Sequence, residues 1–587
     1  MCGIAGVMTA DGSPPDQVVL EGMAEALGHR GPDGRGRHLA GNVGMVQRRL
    51  AIIDLETGDQ PLFEPGGAAL VANAEIYNYI ELREALHGVN FATTSDCEPA
   101  LYLYRRHGLD FVAHLRGMYA IALHDPQAGR LVLARDPFGI KPLYYAETAR
   151  GLAFASEPQA LLGAGLAARR IQAGTRAELL QLQFTTGAET IFKGLKRVLP
   201  GETLVVAGGR VVERRRLDAL PAGGPEPGDE AEALRRLDDA LADSVRVHQR
   251  SDVPYGMFLS GGIDSSTLLA LMARLNERPV KAFTVGFPGT GVPDERARAR
   301  AVAQAVGAEH VEIPFAEEDF WQLLPETAVA LDDPAADYAT LPTYKLAREA
   351  SRELKVILSG EGGDEMLGGY GRYRSAVRPW WQGGRAMWPH GILDGLGVLS
   401  ADAAGWRDGI ASIEITEAKA GRSRLQVAQA TDCAGWLAGD LLIKLDRCLM
   451  AHGVEGRTPF LDRRVAEVGF RLLDRLKIRR GMGKWLLRRW LEEHLPEAEP
   501  FTRKRGFTVP VAEWIARRGT TLGPLVAAQP GVAEICEPAA VARLFAGRGK
   551  RRGFAAWTLL FYALWHRYHV LGLEPEGDAF ETLAAKG

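Results

Sequence analysis

The sequence predicts two α/β units: a strand-rich layered half, then a half built on a doubly wound parallel sheet. Three observations predict this. Short β-like runs separated by turn residues fill the N-terminal half. Beyond it, apolar strand-like runs alternate with helical stretches, as in a parallel sheet covered by helices. Between the two, Pro221-Ala-Gly-Gly-Pro-Glu-Pro-Gly-Asp229 supports neither helix nor strand. At 587 residues the chain is in any case too long for one ordinary domain. The expected division is 2–220, a linker at 221–229, a second unit at 230–573 and a loose tail at 574–587.

Composition narrows the function. Hydrophobic residues make up 46% and charged residues 24%, which describes a soluble protein with ample core. The formal net charge of −3 offers no basic field, so no nucleic-acid partner is expected. Met1-Cys2-Gly3 leads straight into a strand-like segment without a leader pattern. The apolar stretch from Phe554 to Leu564 is too short to span a bilayer, so no membrane partner is expected either. Five scattered cysteines (Cys2, Cys97, Cys433, Cys448, Cys536) lack any CxxC spacing. They argue against a disulfide frame or zinc site and for a reducing, cytoplasmic setting.

In the N-terminal half the expected strands are Ala69 to Asn73, Met118 to His124, Arg130 to Arg135, Leu143 to Ala146 and Gly151 to Ser156, with Thr203 to Ala207 the last. Cys2 follows the initiator Met, and a small residue there permits Met removal. The freed α-amine, with an ordinary pKa of about 7.7–8.0, is then placed to act as base for its own thiol. On position alone Cys2 would read as a buried strand cysteine.

In the C-terminal half a helix is expected from Asp229 to Gln249. Met257 to Leu259 then ends a buried strand, and Ser260-Gly261-Gly262 makes a tight turn. From Asp264 on, Leu268, Leu269, Leu271, Met272 and Leu275 keep a helical period. Strand, glycine turn and helix N-terminus together suit an anion, and Ser260, Ser265 and Ser266 can add hydroxyl donors. No lysine closes the loop, so it is not the GxxxxGK[ST] motif, nor is it GxGxxG. Strands at Lys281 to Phe287, His310 to Ile313 and Lys355 to Leu358 alternate with helices at Asp294 to Val306 and Tyr344 to Leu354. Parallel sheets bind ligands at the carboxyl ends of their strands. The second strand-ending loop, Ser359-Gly-Glu-Gly-Gly-Asp-Glu365, sets carboxylates among glycines, which suits phosphate together with Mg²⁺.

The loop Ser260-Gly-Gly-Ile-Asp-Ser265 resembles the pyrophosphate loop of ATP pyrophosphatases, which split ATP between the α- and β-phosphates. Six further stretches resemble the glutaminase domain of class II glutamine amidotransferases, members of the N-terminal-nucleophile hydrolases. These are Cys2-Gly-Ile-Ala-Gly6, His29-Arg-Gly-Pro-Asp33, Arg49-Leu-Ala-Ile-Ile-Asp54, Asn73-Ala-Glu-Ile-Tyr-Asn78, Ser95-Asp-Cys-Glu98 and Arg135-Asp-Pro-Phe-Gly-Ile-Lys-Pro142. From Cys2 to about His569 the whole resembles the glutamine-hydrolysing asparagine synthetase family, most weakly between Arg374 and Ala430.

The resemblance implies a four-layer αββα first unit and an ATP-pyrophosphatase-type second unit with added helices. It implies Cys2 as nucleophile, with an oxyanion hole from the Asn73 side chain and the backbone N–H of Ala74. Arg49 would bind the glutamine α-carboxylate, with Leu50, Ile52 and Ile53 beside it, and Glu75 and Asp96 would hold the α-ammonium. Leu259, Val285 and Gly360 would line ATP, together with Ser260, Gly261, Gly262, Ser265, Ser266 and Ser359. Asp264 and Asp364 would carry Mg²⁺ and pyrophosphate, Glu361 would assist the acyl transfer, and Lys484 would stand near the α- and β-phosphates. The chain departs from the family at Ala74, where Gly is usual, and a left-handed backbone there would strain an alanine. Lys444-Leu-Asp446-Arg447 and Val454 to Asp462 resemble the family's helical core. Trp380, Trp381 and Trp388 read as core or subunit contact. Expected partners are glutamine, aspartate and ATP, with a homodimer left open. Two alternatives remain at this stage: amidation of another carboxylate, or a regulatory protein on the same scaffold.

Overall fold

A computed structural model describes residues 2–292, 294–400, 404–502 and 508–585; the side chain of Trp380 lies outside the described residues. The N-terminal unit holds two six-stranded sheets. The first runs Leu195–Arg197, Tyr144–Thr148, Gly151–Ala155, Cys2–Thr9, Val43–Arg49, Gly34–Ala40. The second runs Arg210–Arg216, Glu202–Ala207, Arg130–Arg135, Gly117–Asp125, Ala69–Ile76, Leu62–Phe63. Alternating apolar side chains, among them Ile4, Met45, Val71 and Leu133, fill the space between the sheets. The helix Gln17–Ala26 covers the outer face of the first sheet through Leu20, Met23 and Ala24. The helix Glu98–His107 covers the second through Ala100, Leu101 and Tyr104. The layers are therefore α, β, β, α, as expected.

The second unit is built on a five-stranded parallel sheet in the order Glu309–Pro314, Lys281–Gly286, Tyr255–Phe258, Val356–Leu358, Glu455–Arg457. The chain starts at the central strand, builds outward to one edge, then returns to build toward the other. Such a sheet has its switch point beside the first strand, where neighbouring loops splay apart. The loops after Phe258 and Leu358 are those two neighbours. The helix Glu230–His248 enters the unit with Asp229 as its N-cap, accepting the Glu232 N–H at 2.7 Å. Among the described residues no helix is long and apolar enough to cross a membrane.

Two expectations change. Thr203–Ala207 is not the last strand: Gly208 and Gly209, both at positive φ, turn the chain into an exposed, arginine-rich strand at Arg210–Arg216. The tail is not loose, because Ala579–Ala584 is helical, capped by Asp578 and Glu581, with Ala579 and Leu583 buried and Phe580 against Trp321. Lys484 directly precedes the helix Trp485–His494, at φ +56°. Among the tryptophans, Trp381 is exposed, while Trp388 packs against Phe184 and Trp436.

Candidate active sites

Cys2 opens its strand opposite Arg49, and its backbone N–H donates to Asn73 Oδ1 at 3.1 Å. Asn73 stands in the neighbouring sheet, so the pocket lies where the two sheets meet. Gln47 Nε2 donates to Cys2 Sγ at 3.0 Å, and Arg30 Nε donates to the Cys2 carbonyl at 3.2 Å. Burial pushes the thiol's pKa up against the lowering field of the N-terminal ammonium, so thiolate formation needs a local base. Asn73 is fully buried, and its Nδ2 has no hydrogen-bond partner among the described residues. That leaves an unused donor on the side chain that holds Cys2.

Ala74 pairs with Tyr119 within the strand Ala69–Ile76 and is absent from the residues with positive φ. Its N–H is carried on ordinary strand backbone, and the feared strain does not arise. Arg49 is buried, paired with Asp59 at 2.9 Å and with the Asp54 carbonyl. Leu50, Ile52 and Ile53 pack into the same apolar cluster as Leu259 and Leu441 of the second unit. Asp96 Oδ2 accepts the Ile76 N–H at 2.7 Å, while burial raises its carboxyl to about 6. Glu75 is also pushed up by burial and by nearby Glu455, and Arg457 donates to it at 2.8 Å. Its carboxyl thus serves the contact between the units. The sequence reading gave no role to Gln47, Arg30 or Arg457. Gln47 was findable, because it shares a strand face with Arg49 two residues on.

In the second unit, Ser260 N–H donates to Ser265 Oγ at 3.2 Å, and Gly261 takes φ +67°. Ser265 braces the loop, and Ser266 is fully buried, so Ser260 is the most accessible of the three hydroxyls. Leu259 and Val285 are buried at neighbouring strand ends, and the Ser359 N–H donates to the Arg457 carbonyl at 2.8 Å. The glycines of the second loop serve close approach. A Cβ on Gly363 would fall 2.5 Å from Asp264 Oδ1, and one on Gly360 3.0 Å from Asp264 Cβ. Lys484 Nζ lies between Asp264 and Asp364, 2.7 Å from the latter. Burial works against its charge, but the two carboxylates hold its pKa up. Its left-handed backbone costs about 1–2 kcal/mol relative to ordinary helix geometry, a strain the two ion pairs offset. Glu361 is raised by burial and lies 3.7 Å from Lys444 Nζ, which the sequence reading had placed only in a helical core.

The expected site residues therefore gather in two places. Buried ion pairs join the units between them. Arg30 reaches Asp446 at 2.8 and 2.9 Å, Arg457 links Glu75 to Glu455, and Arg197 and Tyr144 both bond Asp333.

Residues 1–216 match the glutamine amidotransferase domain family, and residues 236–567 match the asparagine synthase family. The chain is 34% identical to the Bacillus subtilis protein named asparagine synthetase [glutamine-hydrolyzing] 1, covering 88% of each chain. Asparagine synthetase [glutamine-hydrolyzing] 2 of the same organism is 32% identical over 80% of this chain and 66% of its own. The Gibberella zeae protein named amidase chry2 is 33% identical over 64% of this chain and 60% of its own.

Proposed function

The chain belongs to the glutamine-hydrolysing asparagine synthetase family, and on that premise we propose that it makes asparagine from aspartate with ammonia released from glutamine. The observation that carries the reading is the pairing of Asp264 and Asp364 through Lys484, which draws the two strand-ending loops into one pocket. In the first site, with Met1 removed, the Cys2 amine takes the thiol proton and Sγ attacks the glutamine side-chain carbon. The oxyanion is met by Asn73 Nδ2 and the Ala74 N–H. Ammonia leaves, and water releases glutamate from the thioester. Arg49 takes the α-carboxylate, a bidentate task suited to guanidinium, and Asp96 with Glu75 takes the α-ammonium.

In the second site ATP lies along the Ser260 and Ser359 loops, with Leu259, Val285 and Gly360 along the nucleotide. The aspartate β-carboxylate displaces pyrophosphate from the α-phosphorus, giving β-aspartyl-AMP. Lys484 steadies the charge that develops on the phosphates. Asp264 and Asp364 offer hard oxygen donors on either side of Lys484 Nζ, and two carboxylates completed by substrate phosphates would hold Mg²⁺. When bound, Mg²⁺ would neutralise the departing pyrophosphate. Glu361 assists the attack of ammonia, which displaces AMP. An internal passage between the sites keeps ammonia unprotonated, since ammonium lacks the nucleophilic lone pair. Cytoplasmic placement and a homodimer belong to the same reading.

The test is mass-spectrometric product analysis with glutamine, ATP and aspartate. Asparagine, AMP, pyrophosphate and glutamate in equal amounts are expected; ATP cleavage without asparagine would overturn the reading. Amidation of a different acid is the second reading, prompted by relatives named amidases.

A further inference from the structure

A second group of charges stands beside the phosphate loops. Lys444 Nζ lies 2.9 Å from Asp337 Oδ2 and 3.7 Å from Glu361 Oε1. Asp440 joins them electrostatically, acting on the same lysine. It sits in a π-helical stretch, Cys433–Leu441, within an otherwise α-helical rod from Arg424 to Met450. π-Helical turns are rare and recur at functional sites, because the added residue re-aims side chains. Asp440 is 3% exposed. Its Oδ2 accepts the Trp436 indole N–H at 2.6 Å, whereas its Oδ1 is buried with no hydrogen-bond partner among the described residues.

Three carboxyls (Asp337, Glu361, Asp440) thus act on one ammonium; burial and the nearby Asp337 push Asp440 well up, toward its neutral form, while its buried Oδ1 has no partner among the described residues. A further cation beside that oxygen would let Asp440 ionise and would pair its buried acceptor. The nearby Lys484 is already held between Asp264 and Asp364. Among the described residues, no three such side chains converge tightly enough to hold a metal ion. An ammonium group, with three N–H donors pointing apart, can bond carboxylates that do not converge on one point.

We propose that Asp440 and Asp337 bind the α-ammonium of the acceptor amino acid, leaving its side-chain carboxyl beside Glu361 and toward Lys484. The inference rests on the proposed synthetase reading and deepens it. It selects a free amino acid over an acid whose amine is acylated or missing. A site that must bond an amine discriminates steeply against analogues lacking it, because its own groups are left unpaired.

The test uses the full chain with L-aspartate, succinate and N-acetyl-L-aspartate, reading pyrophosphate release and calorimetric binding. The native protein is expected to prefer aspartate over both analogues by about a hundredfold or more. Asp440→Asn should raise the KM for aspartate by about thirtyfold or more, with a much smaller change for ATP, and should narrow the gap between aspartate and succinate. An unchanged aspartate KM in folded Asp440→Asn would overturn the inference. So would a shift confined to the Mg²⁺ requirement, or native use of succinate equal to aspartate. If Asp440→Asn does not fold, the native comparison of the three acids decides. Native protein that binds aspartate selectively yet makes no asparagine would sink the synthetase reading and leave the subsite standing. Native protein that makes asparagine without selectivity would do the reverse, and one that binds none of the three acids would sink both.

Discussion

In the N-terminal unit the chemistry-bearing side chains stand inside hydrogen-bonded strands, whereas in the C-terminal unit they stand in turns and helix starts just past strand ends. Cys2, Asn73, Ala74 and Glu75 inherit their positions from sheet register, which a one-residue slip would destroy. Asp264, Glu361 and Asp364 depend on glycines that let two loops approach and on the salt-bridged Lys484 between them. The first arrangement is held by the ladder itself. The second is held by charge, and so leaves room for anionic ligands to exchange partners with Lys484.

The largest effect should come from cutting one site at a time. Cys2→Ala should lower glutamine-dependent synthesis by more than about a thousandfold, because the nucleophile is gone. It should keep synthesis from added ammonium. Lys484→Met should stop pyrophosphate release with either nitrogen source. Loss of both activities in folded Cys2→Ala would break the division between the units.

The contact between the units should come next. Arg30 is fully buried and bonds Asp446, Glu157 and the Cys2 carbonyl together. Removing one partner strands buried charge, so Asp446→Asn should cost about 3–5 kcal/mol in denaturant unfolding. A cost no larger than that of a surface pair, about 0–1 kcal/mol, would mean that the units do not depend on this pairing.

A smaller effect concerns pH. Burial raises Asp96 from an ordinary value of 3.8 to about 6. The folded state therefore favours the neutral acid, and the stability this contributes, full below about 3.8, is lost as pH rises through about 6. Binding an α-ammonium needs the carboxylate, so glutaminase kcat/KM should rise with pH through about 6. Asp96→Asn should bind glutamine weakly and lack that limb. A native profile flat from pH 5 to about 7 would remove Asp96 from glutamine binding.

The smallest effect should be Ala74→Gly. The N–H donor is common to both residues, so glutaminase kcat should change by less than about threefold, far below the cost of losing an oxyanion donor. Glycine within the strand should cost about 0.5–1 kcal/mol of stability. A large gain in glutaminase rate would mean that the methyl crowds the glutamine amide.

Local pattern was enough to read the strands at Arg130–Arg135 and Lys281–Gly286, the helix that follows Asp229 and the two strand-ending loops, because period and turns are written within a few residues. The αββα layering and most site residues were read through family resemblance, not from spacing. Residues such as Gln47, Arg457 and Asp440 were not legible in the same way. Their roles depend on partners far along the chain: Gln47 on Cys2, Arg457 on Glu75, and Asp440 on the charges around Lys444. The sequence alone determined which backbone segments form and which loops can receive anions. Only the tertiary structure decided which charges share a buried space, and there low polarity makes each pairing count.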